Sequence, residues 1–376
     1  MPTIRRRTFL TAGVAMFAVF GTLCFSPRQL GAAQELPSQL SDQAFWKLVS
    51  DFSEPSGFFR SDNFVSNEVS FQWVIGDLKK NTKPGGAYLG VGPDQNFTYI
   101  VALRPKIAFI VDIRRQNLLQ HLMYKALFEL SQNRAEFLSR LFSRKPNTGI
   151  GPNSTPEELF AAFESVPADR LLFAENLKAI KQLLEEDHGF ALSNADEQAI
   201  EYIFRAFLVS GPRLNYDGAM SNRSPSYAEL MVQTDESGQN HSYMSSEENF
   251  RSLQELEKKN LVVPLVGDFA GQTALRSVAE YLKEHGAIVT AFYTSNVEQY
   301  LFQQTDDWNA FYRNVGLLPL DSTSTFIRSA FNGFVGGVSR GSRGMRSVQI
   351  LSSIPELLKA FDAGEIKLYY DVLQSK

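Results

Sequence analysis

The chain has 376 residues, 44% of them hydrophobic and 12% aromatic, with 37 basic residues against 41 acidic ones. That length supports one large core or two modest ones, and beyond residue 25 no apolar run nears the ~20 residues that cross a bilayer. The acidic balance argues against nucleic acid or anionic lipid as a main partner, so a small molecule or another substrate is expected.

The N-terminal segment reads as an export signal. Arg5, Arg6 and Arg7 lead into an apolar stretch from about Ala12 to Phe25, followed by the small residues Gly31, Ala32 and Ala33. Arg6-Arg7-Thr8-Phe9-Leu10 has the twin-arginine pattern. The rest of the chain is then expected in the periplasm or otherwise outside the cytoplasm, whether the segment is cleaved or kept as an anchor. Cleavage after Ala33 removes four arginines and no acid, leaving 33 basic against 41 acidic residues, a net of −8. It also removes Cys24, the single cysteine, and with it any disulfide, thiolate metal site or cysteine nucleophile.

Ser41 to Phe52 carries apolar residues at helical spacing behind a serine cap. Ser66, Asn67 and Glu68 open a second predicted helix that runs to about Lys79 and ends at Pro84, Gly85 and Gly86. From Ala87 the pattern is strand, glycine turn, helix and strand, a βαβ unit that closes on Ile107 to Asp112. A long helix is predicted from Gln116 to Phe142. Residues 150 to 210 are helical throughout, beginning at the capping box of Thr155-Pro156-Glu157-Glu158, and read as an insertion into one sheet domain. Gly211 to Gln239 reads as a polar loop with one apolar piece at Tyr227 to Val232. After a helix starting near Ser245, Leu261 to Val266 has the unbroken apolar character of a buried parallel strand ending at Asp268. A helix from Gln272, a strand from Ala287 to Tyr293, helices to about 315 and a closing hairpin with a strand at Ser347 complete an α/β, Rossmann-like sheet with helices on both faces.

A strand-to-helix turn needs glycine where backbone passes close under a cofactor, and an acid at the end of the next strand can hold ribose hydroxyls. Gly90, Gly92 and Asp112 meet that requirement, with Asp112 20 positions after Gly92. Alternatively, the glycines only permit a tight turn and Asp112 is a solvated strand end. A dinucleotide site would want a third glycine where Gln95 stands. It would also bring pyrophosphate over Pro93 and Asp94, where a carboxylate about 4 Å from a phosphate charge costs on the order of 4 kcal/mol. A sulfonium compound without phosphates has no such conflict; alternatively, Asp94 caps its own helix and points away.

The stretch Tyr88-Leu89-Gly90-Val91-Gly92 with Asp112 resembles the first motif and ribose acid of seven-strand S-adenosylmethionine-dependent methyltransferases. Gly90 to Tyr99 and Val266-Gly267-Asp268-Phe269-Ala270-Gly271 are similar to an uncharacterised exported bacterial family with that fold. The resemblance spans roughly residues 60 to 300. It implies S-adenosylmethionine, or a related adenosyl compound, as cofactor. It departs from the pattern at Tyr88, which stands where an acid is usual, and it lacks an Asn-Pro-Pro-Tyr motif.

Asp268 is then a candidate to orient substrate or take a proton at the rim of the crevice, or else caps the following helix. Asn67 and Glu68, with Asp62 and Asn63, precede the first strand and are candidates for a lid over the cofactor. Among the histidines, His188 and His285 precede glycines at helix ends and read as structural, and His121 falls within a helix. His241 is the candidate general base. No histidine pair has metal-ligand spacing, so no metal is expected. Arg340, Arg343 and Arg346 lie among glycines and either grip an anion or form a hairpin tip. Two readings remain: an exported methyltransferase-like enzyme, and a non-catalytic binding or interaction protein that keeps the fold.

Overall fold

Short apolar strands alternate with helices along the chain, for which the computed structural model describes residues 35–146, 149–216, 224–331 and 347–374. The first elements are α1 (Asp42–Phe52), α2 (Ile75–Asn81), β1 (Ala87–Gly90), α3 (Gln95–Leu103) and β2 (Ile107–Asp112). A helical stretch follows: α4 (Arg115–Leu130), α5 (Arg134–Phe142), α6 (Pro156–Glu164), α7 (Arg170–Gln182), α8 (Asn194–Ser210), α9 (Tyr227–Val232) and α10 (Glu247–Lys258). Alternation then resumes with β3 (Val262–Val266), α11 (Ala274–Glu284), β4 (Val289–Ser295), α12 (Val297–Leu301) and α13 (Asp307–Val315). The chain closes with β5 (Thr325–Phe331), β6 (Ser347–Ser353), α14 (Ile354–Asp362) and α15 (Tyr369–Gln374).

The strands form one sheet in the order β3-β2-β1-β4-β5-β6. The first five are parallel, with Leu89 opposite Phe109 and Asp112 opposite Val266. β6 runs antiparallel along β5, as the predicted closing hairpin requires. Every residue of β1, β2 and β3 is buried, which is why these strands are continuous apolar runs rather than alternating ones. The described residues hold six strands, one fewer than a seven-strand methyltransferase sheet.

Strand order reverses at β1: the chain moves outward through β2 to β3, then jumps back to β4 on the other side. Right-handed crossovers therefore put α3 and α4 on one face and α11 and α13 on the other. On the α11 face, Tyr281 packs its ring edge on Phe109 of β2 at 5.8 Å. On the α4 face, Phe97 of α3 is ringed by His121, Tyr124, Phe128 and Tyr243. The reversal leaves a crevice at the carboxyl ends of β1 and its neighbours.

Several elements differ from the periodicity reading. Ser66 caps no helix: its Oγ accepts from Glu68 N–H, and after Ser70 in the left-handed region (φ 60°) a 3-10 turn at Phe71–Val74 leads into α2. The long helix breaks at Ser131, whose hydroxyl bonds back to Leu127 O, and Asn133 caps a new helix by accepting from Glu136 N–H. The apolar piece at Tyr227–Val232 is a helix with a Ser226–Glu229 capping box. The capping box at Thr155 and Glu158 is present as read.

Arg328 of β5 and Glu298 of α12 form a buried ion pair, Nε to Oε2 2.5 Å, with side-chain exposures of 0% and 2%. Tyr312 donates to Glu298 Oε1 at 2.7 Å, and the guanidinium lies 4.1 Å from the Phe326 ring centre. This cluster ties α12 to the sheet. No helix among the described residues is long and apolar enough to cross a membrane.

Candidate functional site

A cavity of about 340 Å³ opens at the carboxyl ends of β3, β2, β1 and β4. Its floor includes Val91, Gly92 and Pro93 after β1 and Asp112 at the end of β2. Gly267, Asp268 and Phe269 follow β3, and Tyr293, Ser295 and Asn296 lie at the end of β4. The segment from Phe58 to Glu68 and the α12–α13 region, with Tyr300, Gln304 and Asp307, supply its walls.

The two glycines of the turn serve different ends. Gly92 has φ +78°, a left-handed conformation that L side chains rarely adopt, and a Cβ there would meet only Asn63 Nδ2, at 3.7 Å. Gly90 does not line the cavity. A Cβ on it would meet Asn96 Oδ1 at 1.9 Å, because the Asn96 amide lies against the turn and donates to the carbonyls of Val91, Gly92 and Pro93. From the other side, His121 Nε2 donates to Gly92 O at 2.9 Å. Burial lowers the imidazole to about 4, against the pull of the Gly92 carbonyl and the Asp112 charge. His121 is thus a neutral strut under the turn, a role its position in a helix did not reveal.

Asp112 lies in the cavity wall and is held by its neighbour. Arg114 donates to Oδ1 from its backbone N–H (2.9 Å) and Nε (3.0 Å), and to Oδ2 from Nη2 (3.0 Å). The third guanidinium nitrogen donates to the carbonyls of Ser61 and Asp62, so the same residue anchors the segment over the cavity. Gly57 N–H donates to Ile113 O at 2.8 Å, and Tyr202 donates to Asp62 Oδ2 at 2.9 Å. Asp62 therefore anchors this strap from outside, whereas Asn63, in the left-handed region at φ 48°, lines the cavity.

Asn67 and Glu68 both line the cavity. Glu68 is 1% exposed and accepts from Gln95 Nε2 (2.8 Å), Gln349 Nε2 (3.1 Å) and Ser295 Oγ. Ser295 is itself strained, at φ 51°, a conformation that persists only where surrounding contacts hold it. Burial pushes the Tyr293 phenol well above its ordinary value, and the Glu68 charge adds to the rise.

Asp268 is half-buried at the far side and accepts from Ala270 N–H at 2.9 Å. Burial raises its carboxyl above the usual range, Asp307 and Glu54 add to the rise, and the Ala270 bond opposes it. It does not cap α11. Glu54 does so, accepting from Asp268 N–H, Thr273 N–H and Ala274 N–H, so an anion from the chain already occupies that helix N-terminus.

His241 does not line the cavity. Its Nε2 bonds Asp235 at 2.7 Å, and its backbone N–H donates to Gln72, so it is no base for this site. Asp94 also departs from expectation. Its carboxyl is buried, caps nothing and lies outside the cavity lining. There it accepts from Tyr243 at 3.3 Å. Burial raises it to about 7, which weakens the repulsion it would exert on a phosphate over the turn. His188 bridges Asp42 and Glu129, with Gly189 in the left-handed region, and is structural as read. Arg340, Arg343 and Arg346 lie outside the described residues.

The family described as a domain of unknown function (DUF7790) matches residues 63–150 and 154–360. The chain belongs to this family. Its matched span takes in Asn63, Glu68, Gly92, Asp112, Asp268, Ser295 and Asp307, all in the wall of one cavity. No curated protein matches the chain.

Sequence reasoning missed Arg114, Ser295, Tyr300 and Asp307. Arg114 had a signal, since a cation two residues beyond a strand-end acid can fold back on it. Ser295 had one too, as the last residue of a strand in a sheet whose crevice lies at the carboxyl ends. Tyr300 and Asp307 reach the cavity only through tertiary packing of α12 and α13.

Proposed function

We propose that this cavity binds S-adenosylmethionine or a related adenosyl compound, and that the chain is an exported methyltransferase-like protein. The observation that carries the reading is that Gly92, in a left-handed turn after β1, and Asp112, at the end of β2, line one cavity at the point where strand order reverses. The residues fit such a ligand. Gly92 leaves open space where a side chain would stand. Asp112 Oδ2 takes one hydrogen bond from Arg114, which leaves a lone pair for a ribose hydroxyl.

When bound, the compound supplies an electrophilic methyl group on a positively charged sulfur. The chain's own residues hold and screen it: Asp112 orients the sugar, the strap from Phe58 to Glu68 excludes water, and Ser295 and Asn296 present polar groups on the β4 side. Asp268, on the β3 side, accepts from a ligand amine or takes a proton from a substrate. Catalysis of this kind rests mainly on proximity and alignment. The twin-arginine pattern suits the reading, since that route exports folded proteins and can carry a bound cofactor.

The Asp112–Arg114 pair favours a second reading, a binding protein that keeps the fold without turnover, because the acid is partly satisfied within the chain. Calorimetric titration of purified protein with S-adenosylmethionine tests the first: heat of binding that Asp112→Ala abolishes supports it. No heat in either protein contradicts it.

A further inference from the structure

The charges lining the cavity are unequal. Glu68, Asp112, Asp268 and Asp307 face one cation, Arg114, and that cation is spent on Asp112. Glu68 is held by the neutral donors Gln95, Gln349 and Ser295. Among the described residues no cation forms an ion pair with Glu68, Asp268 or Asp307, and Glu54 lies close enough to Asp268 to raise its carboxyl further. Independently of the acids, the rings of Tyr293 and Tyr300 line the same space, beside Phe59, whose ring already carries the Arg114 guanidinium at 5.7 Å, and aromatic faces attract a desolvated cation.

We infer that the cavity selects its ligand by charge, holding the sulfonium form of an adenosyl compound more tightly than the neutral thioether left after methyl transfer, with Asp268 and Asp307 as specificity-determining residues. The inference rests on the adenosyl reading above. S-adenosylmethionine carries a net charge of +1 at neutral pH, from a sulfonium, an ammonium and a carboxylate, and S-adenosylhomocysteine carries none. When a methyl group passes to a nucleophile, the electron pair of the broken carbon–sulfur bond stays on sulfur and the nucleophile sheds a proton. The sulfonium charge, and with it the ligand's net positive charge, disappears. A wall with unpaired acids then loses its attraction for the bound product, which favours release and refilling.

Partly enclosed charges a few ångströms apart interact strongly enough that a preference of roughly tenfold is expected from one unpaired acid. The test is paired calorimetric titration with S-adenosylmethionine and S-adenosylhomocysteine in low and in 0.5 M-range salt, on wild type, Asp307→Asn and Asp268→Asn. The expected result is tighter binding of the sulfonium by about tenfold or more, narrowed in either variant and by salt. Having two variants covers the case in which one does not fold. Equal or tighter binding of the thioether overturns charge selection and leaves the adenosyl site standing. Binding of neither compound removes the site itself, and the inference with it.

Discussion

Asp112 and Arg114 close on each other two residues apart, with Nε on Oδ1 and Nη2 on Oδ2, both at 3.0 Å. The remaining guanidinium nitrogen reaches the backbone carbonyls of Ser61 and Asp62. One side chain thus fixes both the acid in the cavity wall and the strap above it. Arg114→Ala leaves a buried carboxylate without its partner, a change worth about 3 kcal/mol, and frees the strap. Urea unfolding is expected to show that loss, and limited proteolysis to show new cleavage between residues 57 and 64. A variant as stable and as resistant as wild type contradicts the anchoring role.

The glycine turn separates packing from backbone strain. Gly90→Ala drives a methyl group into the Asn96 amide and breaks its contacts to three carbonyls, a core overpacking of about 2–3 kcal/mol. Gly92→Ala meets open space and bears only the left-handed backbone cost of about 1–2 kcal/mol, yet it places a methyl group in the cavity. The larger stability loss is therefore expected at Gly90, and direct loss of ligand binding by a still-folded protein at Gly92. Thermal unfolding of the two variants beside calorimetric titration reads both effects.

Asp94 makes stability depend on pH. Its folded value, raised by burial to about 7 from 3.8, means that the unfolded chain releases this proton first. The fold therefore gains stability from the neutral acid below about pH 4 and loses it as pH rises towards 7. Asp94→Asn removes that dependence. The stability of the variant relative to wild type is expected to grow between pH 4 and 7 by up to about 4 kcal/mol and then level off. Urea titrations of both proteins at several pH values check the sign: a constant difference would mean that Asp94 is not held neutral.

Arg328 and Glu298 are both buried and directly paired, so removing one partner strands a charge. Arg328→Ala is expected to destabilise by about 3–5 kcal/mol and to loosen α12, whose Val297, Tyr300 and Leu301 line the cavity. The double replacement Arg328→Met with Glu298→Leu is expected to recover most of that loss, since apolar residues of similar volume need no partner. Chemical unfolding of the single and double variants distinguishes a stranded charge from a packing defect, which the double replacement would leave uncorrected.

Much of the sheet was legible because its strands are buried on both faces and end at residues that cannot continue them. β1 runs into Gly90, β2 ends on Asp112, and β3 stops before Gly267 and Asp268, so three unbroken apolar runs already placed the crevice. Side-chain direction was not legible. Asp94 precedes α3 as a helix cap would, but its carboxyl turns inward to Tyr243, 149 residues away. His241 stood in a loop rich in polar groups, and its partner is Asp235 rather than anything in the cavity. Glu68 read as a candidate lid residue, and its burial and its bonds to β4 and β6 through Ser295 and Gln349 gave no sign of themselves in the sequence. For Asp94 and Glu68 the deciding contact crosses between elements far apart in the chain, where local spacing carries no signal; for His241 the partner is six residues away, but nothing in the spacing tells which way the ring turns.

The central claim is that an adenosyl compound lies between Gly92 and Asp112, and a crystal structure grown with S-adenosylmethionine tests it most directly. The account predicts ligand density across the ends of β1 and β2, with a ribose hydroxyl on Asp112 and no side chain intervening at Gly92. Density for the compound elsewhere on the chain, with the Asp112–Arg114 pair closed over an unfilled crevice, would contradict it.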